Sequence, residues 1–284
     1  MDVIIRSIVG FAVLSCVFAV VERIGRRPGE RQRPSRRAVR TDVAWWFFVG
    51  TVGRWLVQAA VVVVVVLAAV PFVRPLEGEA IRAWVTRPTV LPHQPALLQA
   101  LEVVVLVDFL GYWLHRGFHR FGPAWRVHAV HHSSTRLTWL SAVRVHPIND
   151  AVPNMVGAAV LVVAGFDATT LAVAVPFFTL YAITVHADVG WTYGPLRHVV
   201  ASPVFHRWHH TAAARGGEKN FASTFPVLDM MFGSFYMPKD KLPDAYGVSD
   251  PMPPSFMGQM AYPFRRSDSE AAPVRPSEAP TSAG

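Results

Sequence analysis

Apolar residues run along this chain in five long blocks, 4–21, 43–73, 96–114, 151–166 and 168–185, and the stretches between them carry most of the charge. Each block is long enough, or nearly so, to cross a hydrocarbon core of ~30 Å as a helix. The valine run 61–66 favours a strand by propensity, but it lies inside a block too long for any globular strand. In lipid a helix satisfies every backbone group within its own segment, so the membrane overrides the β-branched preference. The pattern predicts an all-α, multi-span transmembrane protein. Its first block is expected to be an uncleaved span rather than a signal peptide, because Arg6 is its only early positive charge, no small-residue cleavage site follows, and the basic cluster lies on its C-terminal side.

Charge orients these spans. The 284 residues carry a formal net charge of +8, which in a soluble protein would suggest nucleic acid. Here the excess sits in one loop, where Arg23, Arg26, Arg27, Arg31, Arg33, Arg36, Arg37 and Arg40 stand against Glu22 and Glu30. Such a loop belongs on the cytoplasmic face beside anionic lipid, so the partner is a membrane and not a nucleic acid. Counting crossings from it puts 74–95 outside, returns block 96–114 to the cytoplasm, and makes 151–185 a there-and-back hairpin turning at 165–167. Arg116, Arg120, Arg126, Arg136 and Arg144 suit cytoplasmic flanks. The single cysteine, Cys16, excludes an intramolecular disulfide and a structural Cys-zinc site. From Arg265 onward Ser, Pro, Ala and Glu dominate, so 265–284 is expected to be a disordered tail.

The candidate chemistry lies in the histidines. Eight of the twelve fall in three short clusters: HRGFH (His115, His119), HAVHH (His128, His131, His132) and HRWHH (His206, His209, His210). On a helix, residues at i, i+3 and i+4 share a face, so each cluster can aim its imidazoles at one point. Neutral imidazole is the commonest metal ligand. Eight donors are too many for one tetrahedral zinc but suit two ions of higher coordination number. The crossing count brings all three clusters to the cytoplasmic side, and His186, at the end of the hairpin, joins them. The fold expected is therefore a multi-span helical protein with a cytoplasmic histidine-rich helical cap. His93, in the external loop, and His198 are expected to be ordinary histidines.

Within block 96–114, Gln99, Glu102 and Asp108 are polar residues at lipid depth, where ionisable groups usually face the protein interior. Asp108 precedes His115 by seven residues and shares its face. It is expected either to support a histidine or a bound water, or to make a polar contact between helices.

With DFLGYWLHRGFH, WRVHAVHHSS, RVHPIND, HADVGW, SPVFHRWHHT, KNFAS and LDMMFGSFY in this order, the stretch from Asp108 to Met237 resembles the fatty acid hydroxylase and sterol desaturase superfamily of integral-membrane diiron oxygenases. The resemblance implies that His115, His119, His128, His131, His132, His206, His209 and His210 are ligands to two irons, and that His186 is a further ligand. It leaves His146 open between ligand and supporting group, and marks Asp108, Asn220 and Asp229 as supporting groups at the catalytic centre. Some members carry a second histidine soon after the position of His186. Here Ala187, Asp188, Val189 and Gly190 follow, which leaves one coordination position to be filled by water. The implied division is 1–95 for the N-terminal spans and arginine-rich loop, and 96–264 for the catalytic domain.

The implied reaction is hydroxylation or desaturation of a lipid such as a sterol, fatty acyl chain or ether lipid, with O2 as co-substrate. Iron supplies the redox chemistry that zinc lacks. No GxGxxG loop and no CxxCH haem-attachment motif occur, so the electrons are expected from a separate redox partner. The alternative from another class is a histidine-rich membrane metal transporter, which would place its ligands near the middle of discontinuous spans. A membrane zinc protease would need HExxH, which is absent.

Overall fold

The computed structural model describes residues 2–25, 34–87, 89, 91–166, 168–211, 218–239, 241–243 and 245–265. Most of the arginine-rich loop (26–33) and the tail 266–284 lie outside them. Among the described residues all regular structure is helical. The long helices are α1 (Asp2–Gly25), α2 (Arg36–Ala69), α4 (Ala96–Arg120), α6 (Pro147–Ala164) and α7 (Ala168–His186). Shorter ones are α3 (Gly78–Val85), α5 (Gly122–His132), α8 (Pro203–His209), α9 (Val227–Met231) and α10 (Phe256–Ala261). By length and composition α1, α2, α4 and α6 are each able to cross a membrane. Their outer faces carry exposed Ile4, Val9, Val13, Leu56, Val62 and Leu101, as lipid-facing helices should.

Helix α2 begins earlier than its apolar block. Ser35 caps it by accepting a hydrogen bond from the Ala38 N–H at 3.2 Å. At 34 residues it is ~50 Å long at the helical rise, well beyond the hydrocarbon thickness, so its first turns stand in the cap. Those turns hold the cap through Thr41, whose hydroxyl donates to the Pro254 carbonyl, and Trp45, whose Nε1–H donates to Gln259 Oε1 on α10 at 2.8 Å. A π-helical turn at Val49–Gly53 interrupts α2. There α1 approaches so closely that a Cβ on Gly50 would come within 2.9 Å of Ser7 Oγ. The N-terminal helices thus pack into the histidine-bearing part.

The hairpin α6–α7 turns where the sequence predicts. Gly165, at φ +92°, ends α6 in the left-handed conformation that favours glycine. The carbonyls at its end are met from the 74–95 segment: the Arg87 guanidinium donates to Val162 and Val163, and the Thr89 hydroxyl to Gly165. The loop before α4 and the tip of the hairpin therefore share one end of the molecule. The histidine clusters occupy the other.

Candidate metal centre

Four elements deliver the histidines. His115 and His119 lie in the last turns of α4, and His128, His131 and His132 end α5, which turns back after the break at Phe121. His186 is the last residue of α7; His206 and His209 lie on α8, with His210 directly after it. The i, i+3, i+4 spacing survives intact, and the side chains fall into two sets. One contains His115, His119, His128, His132 and His209; the other contains His131, His186, His206 and His210. Within each set the ligand nitrogens lie within 4.8 Å of one another. The sets are adjacent, with the rings of His132 and His210 stacked at 4.4 Å.

The nitrogens are oriented as metal ligands would be. His115 Nδ1 faces the Phe221 carbonyl at 2.8 Å, His128 Nδ1 faces Asn149 Oδ1 at 2.7 Å, and His131 Nδ1 faces the Arg144 carbonyl at 3.3 Å. His186 Nδ1 faces the Ala182 carbonyl at 2.6 Å and His209 Nδ1 the Lys219 carbonyl at 2.8 Å. These oxygens only accept, so each Nδ1 carries the proton and each Nε2 a lone pair. The Nε2 atoms then point at one another: His115 to His128 at 3.0 Å, His131 to His186 at 3.2 Å, and His186 to His206 and His210 at 3.0 and 3.1 Å. Facing lone pairs repel unless a cation lies between them. His119 Nε2 and His209 Nε2 are buried without a hydrogen-bond partner. The donor set fits two cations, with outer acceptors fixing the tautomers.

Two buried carboxylates build the frame behind one set. Asp108 accepts backbone N–H bonds from Ser223, Thr224 and Phe225 at 2.8 to 2.9 Å. Asp229 accepts from Phe221 and Ala222 at 2.7 and 2.9 Å, and from the Ser234 hydroxyl at 2.7 Å. Five consecutive N–H groups, 221–225, are thus clasped by two side chains. Asn220 anchors the start of this strap at φ +60°, a conformation asparagine tolerates. Its amide donates to the Phe205 and Tyr236 carbonyls and its oxygen accepts from the Tyr236 N–H. The strap's carbonyls at Lys219 and Phe221 are those that face His209 and His115. Asp108, Asn220 and Asp229 hold the strap and make no hydrogen bond to the histidines.

The comparisons with known proteins agree with this arrangement. Residues 100–234 match the family model of the fatty acid hydroxylases. Over this stretch the chain is similar to the fatty acid hydroxylases. An ornithine lipid hydroxylase of Rhizobium tropici is 27% identical over 172 residues, covering 61% of this chain and 52% of that protein. An alkylglycerol monooxygenase of Xenopus tropicalis is 31% identical over 146 residues, 51% of this chain and 32% of that protein. A methylsterol monooxygenase of Arabidopsis thaliana is 26% identical over 150 residues, 51% of this chain and 49% of that protein. The chain spans about half the length of these relatives or less. No solved structure matches it.

Other residues of this region have roles that local spacing does not reveal. Asp188, two residues after His186, receives Arg207 Nη1 and Nη2 on Oδ1 at 3.0 and 2.9 Å and Arg136 on Oδ2 at 3.1 Å. The set containing His186 has four members where the other has five. Glu22 of α1 accepts from the backbone N–H groups of Trp139 and Asp188, tying the first helix to the centre. Arg144 is buried and pairs with Asp42 of α2, with its Nε 2.7 Å from Oδ1. Arg136 and Arg144 are therefore partners of buried acids, and their charge says nothing about the membrane side. His146 belongs to neither set. It caps α6 by accepting from the Ile148 N–H at 3.3 Å while its Nε2 donates to the Met260 carbonyl. His93 is far from the centre, on the 74–95 segment, and His198 packs against Phe235.

Burial, reinforced by the neighbouring imidazoles, holds His128, His131, His132, His206, His209 and His210 well below the ordinary value of 6.5. The unfolded chain then binds more protons than the folded one as pH falls through that value. The metal-free protein is expected to be stable above pH 6.5 and to lose stability steadily below it. Melting curves of the metal-stripped protein at neutral and mildly acidic pH test this; equal midpoints would contradict it.

Proposed function

We propose that this chain is a membrane-bound diiron oxygenase that inserts oxygen into a C–H bond of a lipid, with O2 as co-substrate and electrons from a separate redox partner. The observation that carries the reading is the pair of adjacent imidazole sets, neutral and buried, whose lone pairs converge at the ends of apolar helices. The nine histidines His115, His119, His128, His131, His132, His186, His206, His209 and His210 are the proposed ligands. Bound there, iron supplies the redox steps of O2 activation.

The chain's own part is to orient and to exclude water. The carbonyls of Phe221, Lys219, Ala182 and Arg144 and the amide of Asn149 hold the Nδ1 protons of His115, His209, His186, His131 and His128, leaving these five Nε2 atoms free to bind metal. Val130, Phe205 and Phe221, all fully buried, keep the surroundings dry. In hydroxylation the C–H bond becomes C–OH, the second oxygen atom leaves as water, and the electron pair and protons come from outside.

The relatives act on an ornithine lipid, an alkylglycerol and a methylsterol by name, so the proposed substrate is an amphiphile with a long apolar part. Residues 96–264 are proposed to carry the reaction and 1–95 to anchor it. The centre is proposed to face the cytoplasm, on the support of the arginine-rich loop and of the hydrogen bonds of Arg87 and Thr89 to the opposite hairpin tip. A transporter is disfavoured, because the histidines lie at helix ends and in the cap rather than at mid-span.

Mass spectrometry of lipids from cells with the intact protein and with its His131→Ala variant tests the reading. A species heavier by one oxygen in the first alone is expected. A loss of two hydrogens would mark desaturation, and chain scission ether cleavage. Identical profiles, with iron and a reductase supplied, would contradict the proposal.

A further inference from the structure

A second constellation lies apart from the metal centre, on the segment linking α7 to α8. The short 3-10 turn Gly194–His198, with Met237, Pro238, Lys239 and Lys241, borders a cleft of about 340 Å³ that Thr192, Arg197 and His198 also line. Arg197, Lys239 and Lys241 bring three cations to it. Among the described residues none of them pairs with a carboxylate. Asp240 lies between the lysines in sequence, outside the described residues, so the segment keeps a positive balance. The walls are stiff: the His198 ring packs on Phe235 at 5.5 Å, and Met237 is buried in the cluster of Ala201, Val204, Phe205 and Trp208.

The cleft's surroundings place it at the membrane boundary. The Gly190 N–H donates to the Gly25 carbonyl at the end of α1, and the Tyr181 hydroxyl of α7 donates to the Ala201 carbonyl. The segment therefore sits where two apolar helices leave the hydrocarbon. It also turns apolar side chains outward: Leu196 is 60% exposed, Val199 54% and Trp191 37%. Exposed leucine, valine and tryptophan beside a cationic cleft is the arrangement of a segment lying in a bilayer interface, with apolar groups in the acyl region and basic groups at headgroup depth.

We propose that this cleft is a binding site for the phosphate of an anionic phospholipid headgroup, with Arg197 as the forked donor and Lys239 and Lys241 as point charges. Leu196, Val199 and Trp191 seat the same lipid's upper acyl chain. Such a site would fix the depth and tilt of the cap, and with it the height of the metal centre above the acyl chains. The inference rests on the membrane reading of the helices and not on the metal.

The test uses the full chain in detergent, loaded with phosphatidylglycerol or phosphatidylcholine, with retained lipid counted by native mass spectrometry. The wild type is expected to retain phosphatidylglycerol selectively. The triple variant Arg197→Gln, Lys239→Gln, Lys241→Gln is expected to retain it at least ~10-fold less, given the attraction of each basic residue to an anionic interface. Metal content should be unchanged, which separates this result from any failure of the oxygenase reading. The double variant Leu196→Ser, Val199→Ser should also weaken retention, because its charges are intact but its apolar seat is gone. Equal retention by wild type and triple variant would overturn the proposal. So would complete displacement of the lipid by millimolar inorganic phosphate, which would make the cleft a site for free anions.

Discussion

Replacing His186 by alanine is expected to abolish product formation and to lower metal content by about half, leaving the five-histidine set loaded. His186 Nε2 lies within 3.2 Å of His131, His206 and His210, so it is the hub of a set of only four. Three imidazoles remain, and water must replace a nitrogen donor in a dry pocket. The five-histidine set keeps all its members and its carbonyl acceptors. Metal analysis together with turnover checks the outcome, with His93→Ala as the control expected to behave as wild type. Full metal content in His186→Ala would detach this residue from the centre.

Asp108→Asn is the second large effect expected. The carboxylate is 1% exposed and accepts three backbone N–H bonds. An amide offers one oxygen and turns an NH2 group toward an N–H donor that it cannot satisfy. Losing a charge-assisted bond and stranding a buried donor costs about 3 kcal/mol. Within the membrane alone, neutralising a carboxylate should help. Here the clasp outweighs that gain, because the partners are already in place. The strap then slackens, and the carbonyls of Phe221 and Lys219 move off His115 and His209. Metal affinity of the five-histidine set should fall by ~10- to 100-fold while the other set is spared. Wild-type metal content and activity in this variant would show that the strap does not position the ligands.

The long apolar helices and the grouping of the histidines were legible in the sequence because each is written in local spacing. The hairpin turn at Gly165 and the i, i+3, i+4 histidines need only neighbouring residues to be recognised. The frame behind them is non-local. Asp108 meets its donors 115 to 117 positions away, and Arg144 meets Asp42 at a separation of 102. Nothing near Asp108 says whether it faces a ligand, another helix or, as found, a run of backbone N–H groups. Arg136 and Arg144 look like flank charges until their buried acids are seen. Asp188 and Glu22 carried no signal beyond their own type, and the tautomer-setting carbonyls belong to the backbone, which composition does not report. His146, which the motif left open between ligand and supporting group, is found as a helix cap.

Iron quantification combined with X-ray absorption on protein purified anaerobically in detergent tests the central claim most directly. The expected result is about two irons per chain, ligated almost wholly by imidazole nitrogen at roughly 2.0 to 2.2 Å, by analogy with other metal–histidine bonds, with each ion scattering from the other. A well-folded protein holding a single ion or none, or one whose metal is bound mainly by oxygen, would contradict it.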